Sequence, residues 1–573
     1  MRKTIFSILM LLGATATHAA VNADYNSVLP APQSITAVKG KPFLFTKNTV
    51  IFTKTGNDDM QRNAMLLSDY INDLTGIKPT VVSSGKASGK NYVSLVLDSK
   101  ARNISPEGYR ISITDKGITI TGITPAGVFY GIQTLRKSLP VTQHACKMSK
   151  VRGTACKSNI PTDTISFESA VINDSPRFGY RGMMLDCSRH FFSVDEVKAV
   201  LDMLALHNIN RFHWHITDDQ GWRFEVPGYP KLTTVGAKRA ATVIARNSEL
   251  TDQTPYGPYF YTDAEIRDIV KYAADRYITI VPEIDMPGHM MAALAAYPEL
   301  GCTGGPYETG QYWGVYHDIL CAGNEKVYDF LKAVLDKVCD LFPTSEYIHI
   351  GGDESPRDRW EKCPKCQDMI KKQGLVAKKG QSKEALLQGY LDRRVQAYLE
   401  PKGRKIIGWD ELLGCDVDTT ATIMSWRGAE PGAAGAKLGH DIIMSPTSHC
   451  YFDFNQSKDH YLEPTFCYAD LPVQQVYDWD PVPAGATPQV AAHIKGVQAN
   501  VWSEYIKYNN VLEYMMLPRL AALSEVQWMQ QDKRDFNDFK KRVTSLRHIY
   551  DRYGWTYAHH LWPDEFRKVA KQY

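Results

Sequence analysis

The run His349-Ile-Gly-Gly-Asp353-Glu354 sets two carboxylic acids side by side directly after a pair of glycines. Neighbouring acids in a dry site resist double ionisation, so burial should push one pKa up and leave a proton donor near working pH. Such a donor suits cleavage of an acetal bond. Consecutive side chains at a strand end diverge, so the two acids should not flank one bond as acid and opposite-face nucleophile. One should reach the bond, the other a different part of the ligand. The glycines allow close approach of backbone or ligand.

Residues of related types follow seven other short apolar runs. They are Asp186 and Ser188-Arg189-His190; His213-Trp-His215 with Asp218-Asp219-Gln220; Glu283, Asp285 and His289; Trp409-Asp410-Glu411; Trp426-Arg427; Tyr451 and Asp453; and Trp502 with Glu504. Tryptophan faces can cover the apolar face of a sugar ring, while carboxylates accept its hydroxyl hydrogens. Taken singly, these residues have plainer readings. An acid at a strand end more often caps a helix or pairs with arginine, the reading preferred for Asp195, Asp410 and Glu411. His213 and His215 equally fit a hydrogen-bonded interior, and one lone Trp fits packing. Recurrence at all eight ends favours a site.

The elements that position them alternate. Strand-like runs span Gly182–Leu185, Arg211–Ile216, Ile278–Pro282, Tyr347–Ile350, Lys405–Gly408, Thr422–Ser425, Asp441–Met444 and Ile494–Val497. Amphipathic helices lie between them. Ser193-Val-Asp-Glu196 and Thr262-Asp-Ala-Glu265 are capping boxes, and Val327 to Val338 carries an apolar helical face. Eight such repeats predict a (β/α)8 TIM barrel of the α/β class, whose chemistry collects at the carboxyl ends of its strands. Before it, Tyr92–Leu97, Tyr109–Ile113 and Ile118–Ile120 read as strands and Ala126–Leu139 as a helix. The expected division is a signal peptide at 1–20, a smaller α+β domain at 21–175 and the barrel at 176–573.

Composition narrows the partners. The chain has 573 residues, with 66 basic against 63 acidic side chains and a formal charge of +3. No basic face emerges, so nucleic acid is not an expected partner. Arg2, Lys3 and the apolar Ile5–Leu12 stretch resemble a secretory signal, too short to span a membrane. The expectation is an exported protein, periplasmic or extracellular, with no membrane span. Export permits disulfides among the eleven Cys. Cys146/Cys156 and Cys302/Cys321 are sequence-near pairs. Cys363-Pro-Lys-Cys366 fits a small disulfide, a redox pair or half a zinc site. No second C-x-x-C completes the last, so the pair is read as structural, with no metal and no cofactor expected.

The motifs together resemble glycoside hydrolase family 20, the β-N-acetylhexosaminidases. The resemblance rests on His349–Glu354, His213–Arg223, Pro282–His289, Leu185–His190, Tyr451-Phe-Asp453 and the strand-end tryptophans. Glu107–Arg110 and Gly127–Leu135 are similar to the family's accessory domain. The resemblance implies that Glu354 is general acid and base, and that Asp353 steers the substrate's acetamido group, whose carbonyl oxygen is the nucleophile. It implies that Tyr451 binds that carbonyl and that Trp409, Trp426 and Trp502 wall the pocket. Arg189, Asp453 and Glu504 would bind hydroxyls, with Asp218 and His289 as a supporting network. The implied activity is retaining exo-hydrolysis of terminal N-acetylglucosamine or N-acetylgalactosamine from a glycan or glycoconjugate. Two alternatives come from the same residues: a metal-dependent barrel hydrolase built on the histidines, and a glycan-binding protein without catalysis.

Overall fold

The capping signals act where the sequence sets them. Ser193 and Thr262 each accept from the backbone N–H three residues on, while Glu196 and Glu265 return to the cap backbone. Each exchange satisfies two otherwise orphaned donors and starts a helix at a fixed residue. These helices span Val194–Leu206 and Asp263–Ala274, and their apolar stripes pack inward. The next long helix, Glu325–Leu341, buries Val327, Phe330, Leu331, Val334, Leu335 and Val338.

Between the helices run β1 (Tyr180–Asp186), β2 (Arg211–His215), β3 (Thr279–Glu283), β4 (Tyr347–His349), β5 (Lys405–Trp409), β6 (Thr422–Ser425), β7 (Ile442–Met444) and β8 (Ile494–Val501). They pair in parallel in chain order, and β8 closes on β1. The result is the (β/α)8 barrel expected from the sequence. Closure removes both sheet edges and points every strand's carboxyl end at one rim. Val281, Ile407, Trp409, Met424 and Ile443 pack within it. A polar chain crosses the same interior: the Tyr180 hydroxyl donates to Gln498 at 2.8 Å, and Asn500 donates to Ser445 at 2.9 Å.

The computed structural model describes residues 20–563 apart from 55, 84–88, 143–163, 246–247, 460–462, 466 and 468. The signal-like segment before residue 20, Cys146, Cys156 and most of the 138–164 stretch lie outside the described residues. No helix among the described residues is long and apolar enough to cross a membrane. Upstream of the barrel, a seven-stranded mixed sheet carries the expected strands as Tyr92–Leu97, Tyr109–Thr114 and Gly117–Gly122. The last two form an antiparallel hairpin. The helix Pro125–Ser138 is buried on nearly all sides. It packs on the sheet and also meets the barrel, where Lys137 donates to the Leu206 carbonyl at 3.1 Å. Arg181 of β1 reaches back to Glu107 at 2.7 Å and to the Tyr130 hydroxyl at 2.9 Å.

Candidate active site

The turn after β4 is built by its glycines. Gly351 and Gly352 have φ of +63° and +93°, a region that L side chains rarely adopt. Neither position has room for a Cβ, which would overlap Asp285 at the first and Leu412 at the second. Gly352 N–H donates to Asp285 at 3.1 Å. The backbone stays left-handed at Glu354, with φ of +45°. This twist turns the adjacent acids to different depths of one cleft. The Asp353 side chain is 13% exposed and the Glu354 side chain 43%.

That cleft, about 500 Å³, opens at the carboxyl rim. It is lined by Arg189, Asp218, His289, Asp353, Glu354, Trp409, Trp426, Tyr451, Asp453, Trp502 and Glu504. Every residue to which the resemblance assigns a role therefore faces one space, although they follow eight different strands. Trp426 stacks near-parallel to Tyr451 at 6.4 Å, and Trp409 lies 6.0 Å from Trp502. These rings bound an aromatic box with Asp353 at its edge.

His289 connects the acids to the barrel. Its Nδ1 lies 3.1 Å from Asp219 and 3.3 Å from Asp218, while Nε2 lies 3.7 Å from Glu354 and 3.9 Å from Asp353. Burial disfavours its charge, but Asp218 and its other hydrogen-bonded acids hold His289 well above the usual imidazole range. Asp218 also binds His215 at 2.8 Å and Arg189 at 2.8 Å. Behind them Glu283 is a hub. It meets both His215 and His349, the latter at 2.8 Å, and accepts from the Trp409 indole at 3.2 Å. His215 thus has a carboxylate at each ring nitrogen. That arrangement makes His215 part of a hydrogen-bonded network.

One of the two adjacent acids is pushed up, as expected, but it is not the acid to which the resemblance assigns the proton. The His289 imidazolium, 3.7 Å away, holds Glu354 below the usual carboxyl range, against its partial burial. Asp353 is the acid pushed up, by burial and then by Glu283 and Glu354, with His289 opposing. The cause is position: Asp353 is the deeper acid, while Glu354 faces solvent beside a cation. Burial also pushes Asp285 and Asp453 well up, with Asp353 and Glu504 respectively adding to it. Glu411 is pushed up to about 7 by burial and by Asp353.

The acids read as structural do structural work. Asp410 accepts the backbone N–H of Trp426 at 2.9 Å and of Arg427 at 3.1 Å. Glu411 accepts the Trp426 indole N–H at 3.0 Å, which sets the ring's orientation. Sequence reasoning missed Tyr312, Trp313 and Val315, which line the cleft from the long connection between β3 and the Glu325–Leu341 helix. The available signal was an aromatic, glycine-flanked Gly310-Gln-Tyr-Trp-Gly314 inside an unusually long loop.

Adjacent acids, a buried Asp–His network and aromatic walls thus meet at the carboxyl rim of a closed (β/α)8 barrel. Comparison with known proteins places the chain in a family. The family described as "Glycosyl hydrolase family 20, catalytic domain" matches residues 178–531, and its "domain 2" matches 25–160. A beta-hexosaminidase of Porphyromonas gingivalis is 37% identical over 93% of this chain and 64% of its own length. One of Vibrio furnissii is 38% identical over 63% of this chain and 58% of its own length. The chain thus spans under two thirds of each of these relatives. The solved GH20 beta-N-acetylhexosaminidase of Streptomyces coelicolor A3(2) superposes with a TM-score of 0.78 at 31% identity, covering 93% of this chain and 98% of that one. The Streptomyces plicatus N-acetyl-beta-hexosaminidase, solved with Thio-NAglucal, gives 0.77 at 30% identity, covering 93% and 96%. This chain belongs to glycosyl hydrolase family 20.

Proposed function

We propose that this protein is a retaining exo-β-N-acetylhexosaminidase, releasing terminal non-reducing N-acetylglucosamine or N-acetylgalactosamine from glycans or glycoconjugates. The observation that carries the reading is Asp353. Its Oδ1 is buried without a hydrogen-bond partner, at the edge of the box formed by Trp409, Trp426, Tyr451 and Trp502. A buried carboxylate oxygen left unpaired calls for a donor, and an acetamido N–H supplies one beside apolar walls that suit its methyl. Asp453 Oδ1 is orphaned in the same way, and a sugar hydroxyl would satisfy it.

The chemistry follows from that placement. Glu354 gives its proton to the glycosidic oxygen as the bond to the anomeric carbon breaks. The substrate's acetamido oxygen, held by Tyr451, attacks that carbon and forms an oxazolinium ion. Asp353 accepts the N–H and offsets the developing positive charge. Glu354 then takes a proton from water, which attacks from the vacated face and returns the original anomer. An intramolecular nucleophile gains the advantage of proximity, and no protein nucleophile is required. Arg189, Asp453 and Glu504 bind ring hydroxyls. Covering Glu354 with a sugar strips its water and raises its pKa, which restores the proton donor. Relatives named beta-hexosaminidase support this reading. The Arg2-Lys3 start and Ile5–Leu12 stretch support export as part of it, tested by cell fractionation.

The deciding experiment incubates the protein with an aryl N-acetyl-β-glucosaminide and follows released phenol and the first sugar anomer by NMR. The β-anomer should appear first. An α-anomer first, or no phenol released, would reject the proposal.

A further inference from the structure

Four cysteines from three separated segments converge away from the cleft. Cys302 and Cys321 stand at the two feet of the loop 303–320. Those feet are joined where Cys321 N–H donates to the Leu300 carbonyl at 2.8 Å. Cys363 caps the helix Pro364–Lys372, and Cys366 lies in its first turn. The sulfurs are 3.6 Å apart for Cys321–Cys366, 3.7 Å for Cys321–Cys363 and 3.9 Å for Cys302–Cys366. All four lie within 4.8 Å of one another, three of them buried and Cys302 partly so.

These spacings decide between chemistries. A disulfide needs sulfurs about 2.0 Å apart. Four thiolates on one zinc ion, each at about 2.3 Å, form a tetrahedron whose edges are about 3.8 Å. Three of the six separations match those edges, Cys321 and Cys366 each have two sulfur neighbours at that spacing, and the other pairs stay within 4.8 Å. Cys302 and Cys321, near each other in sequence, are not joined by a disulfide.

The backbone between the cysteines is also closely packed. Gly323, two residues after Cys321, lies against the Lys365–Cys366 peptide, where a Cβ would overlap the Lys365 carbonyl. A glycine there lets the second foot of the loop sit directly on the first turn of the helix. We propose that Cys302, Cys321, Cys363 and Cys366 hold a structural zinc ion that clamps both feet of the 303–320 loop to the helical segment following Asp353-Glu354. Binding is acid–base chemistry: the thiols release their protons as four sulfur–zinc bonds form, with no change of oxidation state. The half-site legible as Cys363-Pro-Lys-Cys366 is completed by a loop whose two cysteines lie far upstream and are spaced unlike a second knuckle.

The clamp has a consequence for the cleft. The loop it closes carries Tyr312, Trp313 and Val315 into the cleft wall. Two further ties run beside the cysteines: the Trp360 indole donates to the Leu320 carbonyl at 3.0 Å, and Arg359 pairs with Asp318 at 2.9 Å. A metal at the base turns a long loop into a short, anchored one, lowering the entropy lost when its tip meets a ligand.

The test reads metal, not activity, so it stands apart from the proposed reaction. The full chain, purified without chelator, is measured by elemental mass spectrometry, X-ray absorption at the zinc edge and peptide mapping under non-reducing conditions. We expect about one zinc per chain, a shell of four sulfurs near 2.3 Å and all four cysteines reduced. The double variant Cys363→Ser/Cys366→Ser should lose that zinc, while Cys339→Ser, outside the cluster, should keep it. If the double variant does not fold, the metal count and sulfur shell of the unaltered chain still decide. Disulfides among these cysteines, iron in the four-sulfur shell, or a zinc-free chain after incubation with zinc would each overturn the proposal.

Discussion

Replacing Asp353 by Asn should separate catalysis from stability in opposite directions. The side chain keeps its shape but loses its charge, and the amide can turn a donor toward the N–H it should accept. A carboxylate about 4 Å from the developing oxazolinium charge contributes about 4 kcal/mol at an effective dielectric near 20. Each 1.36 kcal/mol is tenfold in rate, so kcat should fall about 1000-fold on N-acetyl substrates. Folding should respond the other way. Burial raises the folded pKa of Asp353. A carboxyl whose pKa is higher in the folded than in the unfolded state costs stability as pH climbs past the unfolded value, because the unfolded chain sheds its proton first. Removing that group relieves the cost and also the push on Asp285 and Glu411. The variant should thus melt at a higher temperature at pH 7 while turning over far more slowly. The assay pairs initial rates on an aryl N-acetyl-β-glucosaminide with thermal melts of the same samples. A kcat within tenfold of the unaltered enzyme would refute the electrostatic role, and a lower melting temperature would refute the account of burial.

Three further outcomes follow from particular groups. Glu354→Gln should lose about 100- to 10,000-fold in kcat on substrates with poor leaving groups and little on activated aryl groups, with KM nearly unchanged; equal losses on both would remove Glu354 from the acid role. Because the open cleft holds Glu354 low and a bound sugar would desolvate it, the basic limb of kcat should lie at higher pH than that of kcat/KM; coincident limbs would contradict this. Asp392, whose carboxyl oxygens are both buried without partners, is pushed up to about 8 by burial. Between about pH 4 and 8 it should cost about 1.4 kcal/mol per pH unit, so Asp392→Asn should flatten the fall in melting temperature from pH 5 to 8, and an unchanged slope would count against it.

Much of this molecule could be read from the chain alone, because the signals were local. The Ser193 and Thr262 capping boxes involve atoms a few residues apart, and the β-strand runs need only short apolar stretches bounded by turn residues. Alternation of the two repeats eight times leaves a closed barrel as the solution that buries every strand, and this carries residues after each strand to one rim. For that reason Arg189, Asp353, Glu354, Trp409, Tyr451 and Glu504 could be nominated together. Their resemblance to known motifs supplied the roles that spacing alone could not.

Tertiary structure decided what depends on distance through space. Which of two adjacent acids is pushed up follows from depth and from His289, which arrives from another strand end and is invisible in the run Gly351–Glu354. Trp313 enters the cleft on a loop with no periodicity to betray it. The cysteines converge only because the feet of that loop pack against the start of a helix 42 residues beyond Cys321. Sequence records which groups a chain owns and how neighbours along it will fold; charge, burial and ligand geometry act between atoms that only the closed fold brings within a few ångströms.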